Sequence, residues 1–282
     1  MAIADQLKLI QRGPRQWDGW RRTHPTLLPD LSYGDLAGYS LSRLDLAQAD
    51  LTGTTLEQAN LAGATLQGAK LTNASLRHAD LTRARLSAAE LVAANLFGAV
   101  LQQAMLDGAT LIAADLRYAD LRQANLTGAS LAGASLFRAN LTQSSLIAAN
   151  LQQTTLTQAL LCDVALHEAN LDRASIQDSE CAGAQFYRTT IRTANLQHSH
   201  LNGARLFDVD LSGSNLSGVD FRSARLCDVK FNGAQLSGAS FRGAYLTRVS
   251  FDGAQGSGLD LRGAIAQDAT GLPQDLCTVG IA

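Results

Sequence analysis

From Leu31 to Phe251 a large apolar residue stands at every fifth position, 45 stops without a slip of frame. Each stop is Leu, Ile or Phe, except Cys181. Two residues before a stop sits a small residue, mostly Ala, as at Ala49, Ala59 and Ala64. The phrase Ala59-Asn60-Leu61-Ala62-Gly63 is the pattern in its plainest form, and it covers about four-fifths of the chain. An internal period of this kind decides the fold before any local propensity does. Five residues per apolar step fits neither a 3.6-residue helix nor two-residue strand alternation. The chain must therefore turn between stops, winding a coil in which each face gives one inward Leu or Phe flanked by a very short strand.

With the stop called i, each neighbour has a physical role. Position i−2 is small because it also points inward, near a corner. Position i+2 holds Gly unusually often (Gly53, Gly63, Gly68, Gly98), as the third residue of a type II turn requires, where φ is positive. Asn, Asp, Ser and Thr dominate i−1, where they face water or bond nearby backbone groups. The A-(D/N)-L phrase, as in Ala79-Asp80-Leu81 and Ala149-Asn150-Leu151, resembles the pentapeptide-repeat family over roughly residues 31–255. The segment from Trp17 and Trp20 into Pro29-Asp30-Leu31 resembles cyanobacterial-type members in particular. The resemblance implies an all-β solenoid, a right-handed quadrilateral parallel β-helix with four pentapeptides to a coil.

Four per coil puts residues twenty apart on adjacent strands, about 4.8 Å from one another. Charges read by twenties agree with that register. Glu168, Arg188 and Asp208 alternate in sign, Asp172 precedes Arg192, Asp210 precedes Lys230, and Asp228 precedes Arg248. Opposite charges on neighbouring strands are mildly favourable. Arg205 with Arg225 and Arg222 with Arg242 are like-charge exceptions. The repeats then make about eleven coils, roughly 50–55 Å of rod.

Residues 1–30 read as a helical N-terminal cap. Ile3, Leu7 and Ile10 share one face of a first helix, Gly13 ends it, and Pro14 opens a second carrying Trp17 and Trp20. A coil end exposes strand edges and a disc of leucines, so a cap is physically required, with these five residues as its anchors. Regularity falls at 176–191, where Ile176, Cys181, Phe186 and Ile191 replace Leu and Ser179 and Thr189 replace Ala. Beyond Leu216, Phe alternates with Leu at the stops, which predicts a bulkier core. The frame fades at Gly256, so the β-helix is assigned to 31–255 and an irregular C-terminal cap to 256–282, including a turn around Gly271-Leu272-Pro273.

The formal net charge is −2, and the 31–255 segment alone holds 17 basic and 19 acidic residues. That balance gives no electrostatic footprint for nucleic acid or an anionic membrane. Four cysteines lack CxxC or metal-type spacing and read as free thiols. The first residues lack a signal-peptide core and no run of about 18 apolar residues occurs, so a cytoplasmic protein is expected.

No nucleophile–base set, phosphate loop or dinucleotide fingerprint is present, so neither an enzyme nor a cofactor is expected. Two groupings emerge from the twenty-residue register. Positions i+1 point outward, which places Ile147, His167, Tyr187, Phe207 and Cys227 in one column and Phe97, Arg117 and Phe137 in another. Aligned exposed aromatic residues mark partner surfaces. Asp178, Glu180, His198, His200 and Asp220 share one corner, chemistry suited to a divalent metal. A solvated charge ladder is the plainer reading of that corner. The leading functional expectation is a monomeric, non-catalytic scaffold that docks an unidentified protein on an outer face. The alternative implied by the resemblance is a DNA mimic that binds a type II topoisomerase. Such members present a strongly negative face and dimerise through a C-terminal helix, and this sequence supplies neither.

Overall fold

A computed structural model describes residues 3–272, and the chain divides into two compact units, Met1–Asn140 and Leu141–Ala282. Unit 1 opens with helices α1 (Ile3–Gln11) and α2 (Pro14–Thr23). From Asp30 onward single-residue parallel bridges follow at five-residue steps, each joining residues twenty apart, from Asp30 with Asp50 to Asp120 with Asn140. In unit 2 the same bridges run from Ser145 with Ala165 to Ser250 with Thr270. Both units are parallel β-solenoids with a twenty-residue register.

The backbone bonding explains why this period is stable. The N–H of Leu51 donates to the Lys70 carbonyl (2.7 Å), and Gly53 N–H donates to the Thr72 carbonyl (2.9 Å). Thr54 N–H closes the turn by donating to the Leu51 carbonyl (3.1 Å). With φ positive at i+2 (64° at Gly53), that bond defines a type II turn, as the glycines predict. Many non-glycine residues hold the same conformation, Gln58 at 56° among them. The i−1 side chains serve the same turn. Asp50 Oδ1 accepts from Thr52 N–H and Asn60 Oδ1 from Ala62 N–H, both at 3.0 Å.

The inward stops and their i−2 alanines are almost wholly buried, Leu61 and Ala64 at 0% exposure. Each buried Leu contributes roughly 1.5–3 kcal/mol by leaving water. The irregular stretch at 176–191 does not interrupt the ladder. Ser179, Thr189 and Ser199 replace Ala by donating their hydroxyls to the carbonyls of Leu156, Leu166 and Ile176, each at 2.6 Å. A hydroxyl is tolerated at i−2 because a carbonyl of the preceding coil lies within reach.

In unit 2 one face forms a continuous sheet of five parallel strands in sequence order: β1 (Gln185–Tyr187), β2 (Arg205–Asp210), β3 (Arg225–Lys230), β4 (Tyr245–Thr247) and β5 (Ile265–Gln267). Val209 and Val229 pair directly within β2 and β3, while Asp208 and Asp228 just before them keep the positive φ of the repeat's turn (55° and 57°). The bulkier core is present. Phe221, Phe231, Phe241 and Phe251 are 0% exposed. Phe221 stacks on Phe241 at 4.9 Å and Phe231 on Phe251 at 5.1 Å, with edge-on contacts between the two stacks.

Pairing continues past 255, where the sequence suggests an irregular segment. β5 pairs with β4, Ser250 bridges Thr270, and Leu261 falls back in frame at 1% exposure. The lapse at Gly256 has a local cause. Its φ is 133°, and a Cβ there would lie 2.5 Å from the Ser237 amide nitrogen. Backbone approaches backbone at this step, so no side chain fits. Pro273, in the expected turn, lies outside the described residues.

At the start of unit 1, Trp17 is fully buried and its Nε1 donates to the Asp45 carbonyl (2.7 Å), while Trp20 and Ile10 are 6% and 4% exposed. Leu7 is half-buried, and the side chain of Ile3 lies outside the described residues. Leu7 explains Gly34 at an i−2 position, since a Cβ there would lie 2.6 Å from Leu7 Cδ2. Gln6, which the apolar pattern passes over, is buried and accepts from Asp30 N–H at 2.7 Å.

Candidate interaction face

The β1–β5 sheet sets the geometry of the first column. Tyr187 pairs with Phe207, Phe207 with Cys227 and Cys227 with Thr247 across adjacent strands. The His167 and Tyr187 rings meet edge-on at 4.6 Å, and Tyr187 stacks on Phe207 at 5.0 Å with ring planes 9° apart. Ile147, His167, Tyr187, Phe207 and Cys227 are all half-buried. The column is thus a packed ladder that shows solvent its edges, not a row of free side chains. His167 Nε2 is buried and, among the described residues, has no hydrogen-bond partner.

A parallel row two residues earlier in each strand completes the face: Arg205, Arg225, Tyr245 and Ile265, all exposed. Sequence reasoning passed over Tyr245 and Ile265. The available signal was two large apolar or aromatic residues, twenty apart, at i−1 positions that elsewhere are mostly polar. Phe207, Arg225, Leu226, Cys227, Tyr245 and Thr247 line an open groove of about 370 Å³.

On the column's other side the expected charge ladder forms in part. Arg188 pairs with Glu168 (3.4 Å) and Arg248 with Asp228 (2.6 Å), and in another column Arg192 pairs with Asp172 (2.6 Å). Hydrogen bonds from Arg248, then from the Cys227 thiol, hold the Asp228 carboxyl down at about 2. Burial, then the hydrogen bond to Asp228, pushes the Cys227 thiol up. Because the folded pKa of Asp228 lies below its unfolded value, the pair stabilises the fold above about pH 4. That contribution is lost as pH falls towards about 2. Arg248→Ala raises the Asp228 titration towards the ordinary carboxylate range, read from its carboxyl carbon shift by NMR.

The second column, in unit 1, is built differently from its sequence reading. Tyr118, not Arg117, joins the two phenylalanines, at 5.3 Å from Phe97 and 5.8 Å from Phe137. His78 meets Phe97 edge-on at 5.5 Å. Arg117 stands over Phe97 at 5.5 Å and forks onto Asp115 (2.7 Å), while Arg77 stands over Phe97 at 5.0 Å. The i+2 turn places Tyr118 between rings contributed by i+1 positions, a diagonal contact that a straight column omits. The same Asp(i−1)–Arg(i+1) fork recurs at Asp120–Arg122, Asp220–Arg222 and Asp260–Arg262.

The acidic and imidazole corner does not converge. His200 Nδ1 lies 2.9 Å from Glu180 Oε1, but Asp220 is forked by Arg222 at 2.6 Å. Asp178 and His198 are exposed at i+2, one turn position away from the i−1 column that carries the other three. Among the described residues no three His, Cys, Asp or Glu side chains are placed to hold a metal. Cys162, Cys181 and Cys227 are free thiols. No helix among the described residues is long and apolar enough to cross a membrane.

A parallel solenoid advancing in five-residue steps, with apolar stops inside and charged side chains on outer faces, is a repeat protein of the β-solenoid class. Eight copies of the pentapeptide-repeat pattern match across residues 40–270, and the chain belongs to the pentapeptide-repeat family. Among solved structures it is similar to HetL, a pentapeptide repeat protein involved in heterocyst differentiation regulation from the cyanobacterium Nostoc. The two are 27% identical over 89% of this chain and 93% of HetL, with a TM-score of 0.20. A pentapeptide repeat protein of the Arabidopsis thaliana thylakoid lumen is 30% identical over 46% of this chain and 70% of its own, with a TM-score of 0.23. QnrB1, a plasmid-mediated fluoroquinolone resistance protein, is 17% identical over 53% of this chain and 84% of its own, with a TM-score of 0.46. No curated protein matches the chain.

Proposed function

We propose that the protein is a non-catalytic scaffold that binds another protein through an outer face of the solenoid, and that this face is the β1–β5 sheet. The observation that carries the reading is the ladder His167–Tyr187–Phe207, which ends at an open groove beside exposed Tyr245. Large aromatic side chains held rigid by their neighbours lose little entropy on docking. An open face excludes water poorly, which suits binding better than catalysis. The Phe97–Tyr118–Phe137 cluster is the secondary candidate face. The near-neutral repeats argue against a polyanion mimic as the mode of action.

The finer architecture goes with the same reading. It comprises a right-handed quadrilateral winding of about eleven coils, α1 and α2 as an N-terminal cap, the last residues as a C-terminal cap, and a cytoplasmic monomer. The test is an affinity capture from native extract comparing wild type with a Tyr187→Ser/Phe207→Ser variant. Circular dichroism of the variant stays native, because both positions lie outside the core. A partner retained by wild type and lost by the variant is the expected result. Equal recovery by both sinks the assignment to this face.

A further inference from the structure

The β1–β5 face carries an electrostatic irregularity that its own residues do not resolve. Arg205 and Arg225 are direct partners on β2 and β3, and both are exposed. Like charges on paired positions are mildly destabilising. Arg188 and Arg248, immediately after β1 and β4, each have a carboxylate. Among the described residues Arg205 and Arg225 have none, and the contact made by Arg225 is with the Tyr245 ring at 5.8 Å. Arg205 and Arg225 stand at paired positions on strands about 4.8 Å apart, close enough for the two long side chains to swing onto one carboxylate.

The apolar groove lies immediately beside them. Phe207 and Cys227 follow Arg205 and Arg225 by two residues, so they point to the same face of the sheet. Tyr187 and Phe207 cover each other's faces, and the column then steps down to the smaller Cys227 and Thr247. The step leaves the second face of Phe207 and the Tyr245 ring as walls of the groove. Across the strands the face therefore runs from two cations without a carboxylate partner among the described residues, through an apolar groove, to a ladder richer in carboxylates than in arginines, with Glu168, Asp208, Asp228 and Asp268 against Arg188 and Arg248.

We propose that this face docks an acidic peptide segment of a protein partner. One Asp or Glu carboxylate bridges Arg205 and Arg225, and a large apolar side chain one or two residues away fills the groove against Phe207 and Tyr245. The inference rests on the reading of this sheet as the docking face and adds the chemistry of what docks. A single carboxylate fits this face better than a nucleic acid. A chain of phosphates carries more negative charge than two arginines match, and the stacked rings of Tyr187 and Phe207 leave no gap for a base between them.

The test is selection of a random peptide library, displayed on phage, against the whole protein. Fluorescence anisotropy of the enriched peptides then compares wild type, Arg205→Ala/Arg225→Ala and Tyr187→Ser/Phe207→Ser, with an oligouridylate as the nucleic-acid probe. The expected consensus is Asp or Glu within two residues of a large apolar side chain. Its affinity falls at least about tenfold in each variant and weakens with salt. Peptides that lose binding to the Tyr187/Phe207 variant but not to the arginine variant overturn the acidic chemistry and leave the docking face standing. No enrichment, or equal binding to all three proteins, overturns both. Oligouridylate binding that is tighter than the peptides and lost in the arginine variant overturns the peptide proposal in favour of a nucleic acid.

Discussion

Replacing Phe231 by Ala lowers the stability of unit 2 by about 3–5 kcal/mol, measured as the shift in urea unfolding. Phe231 is 0% exposed, stacks on Phe251 at 5.1 Å, and meets Phe221 and Phe241 edge-on. Truncation leaves a cavity bounded by three rings that are each held by a further ring or by the ladder, so collapse into the space is limited. Phe231→Leu restores the residue used at most other stops and costs less than the Ala change. A solenoid coil is stabilised by its immediate neighbours, so amide exchange accelerates most in the coils holding 211–251. A loss below about 1 kcal/mol, the range of ordinary surface substitutions and slightly above, contradicts this account of the core.

Trp17→Ala is the second large effect, expected at about 3–5 kcal/mol in unit 1. The indole is completely buried, and its Nε1 donates to the Asp45 carbonyl. Arg21, at 14% side-chain exposure, reaches the Asp45 carboxylate from the same helix at 3.2 Å. The substitution removes apolar area and leaves a carbonyl that the helix had satisfied. Trp17→Phe keeps much of the packing and loses the hydrogen bond, so its cost falls between wild type and Ala. Exchange of the amides around Leu31–Leu46 speeds up first if α1 and α2 close the start of the coil. Unchanged exchange there, with native stability, sinks the cap reading.

The core was legible in the sequence because it depends on one rule applied at each step. Leu31 to Phe251 gave the inward positions, the glycines gave the positive φ at i+2, and charges twenty apart gave the register later seen in Arg192 on Asp172. What stayed hidden depends on contacts that break the column rule. Gly34 is small because Leu7 occupies its space, and Gln6 is buried because Asp30 N–H needs an acceptor. Adjacent bridges merge into β2 and β3 across Asp208 and Asp228, which keep the positive φ of the other corners, so the β1–β5 face is a sheet that the period alone does not single out. Tyr118 enters its ring cluster diagonally from i+2. The Asp–Arg forks, such as Asp220 with Arg222, lie within one coil and take Asp220 out of the imagined metal corner. Period reads the interior well, while the face is settled by side chains reaching between columns.

Site-specific photo-crosslinking tests the assignment of function to the β1–β5 face most directly. A photoreactive amino acid is placed at Thr247, in the groove, and separately at Gln152, exposed in unit 2 outside that sheet. After irradiation in native extract, the account predicts one dominant protein adduct from Thr247, abolished by Tyr187→Ser/Phe207→Ser, and none from Gln152. An adduct from Gln152 with none from Thr247, or a Thr247 adduct indifferent to the loss of both rings, contradicts it.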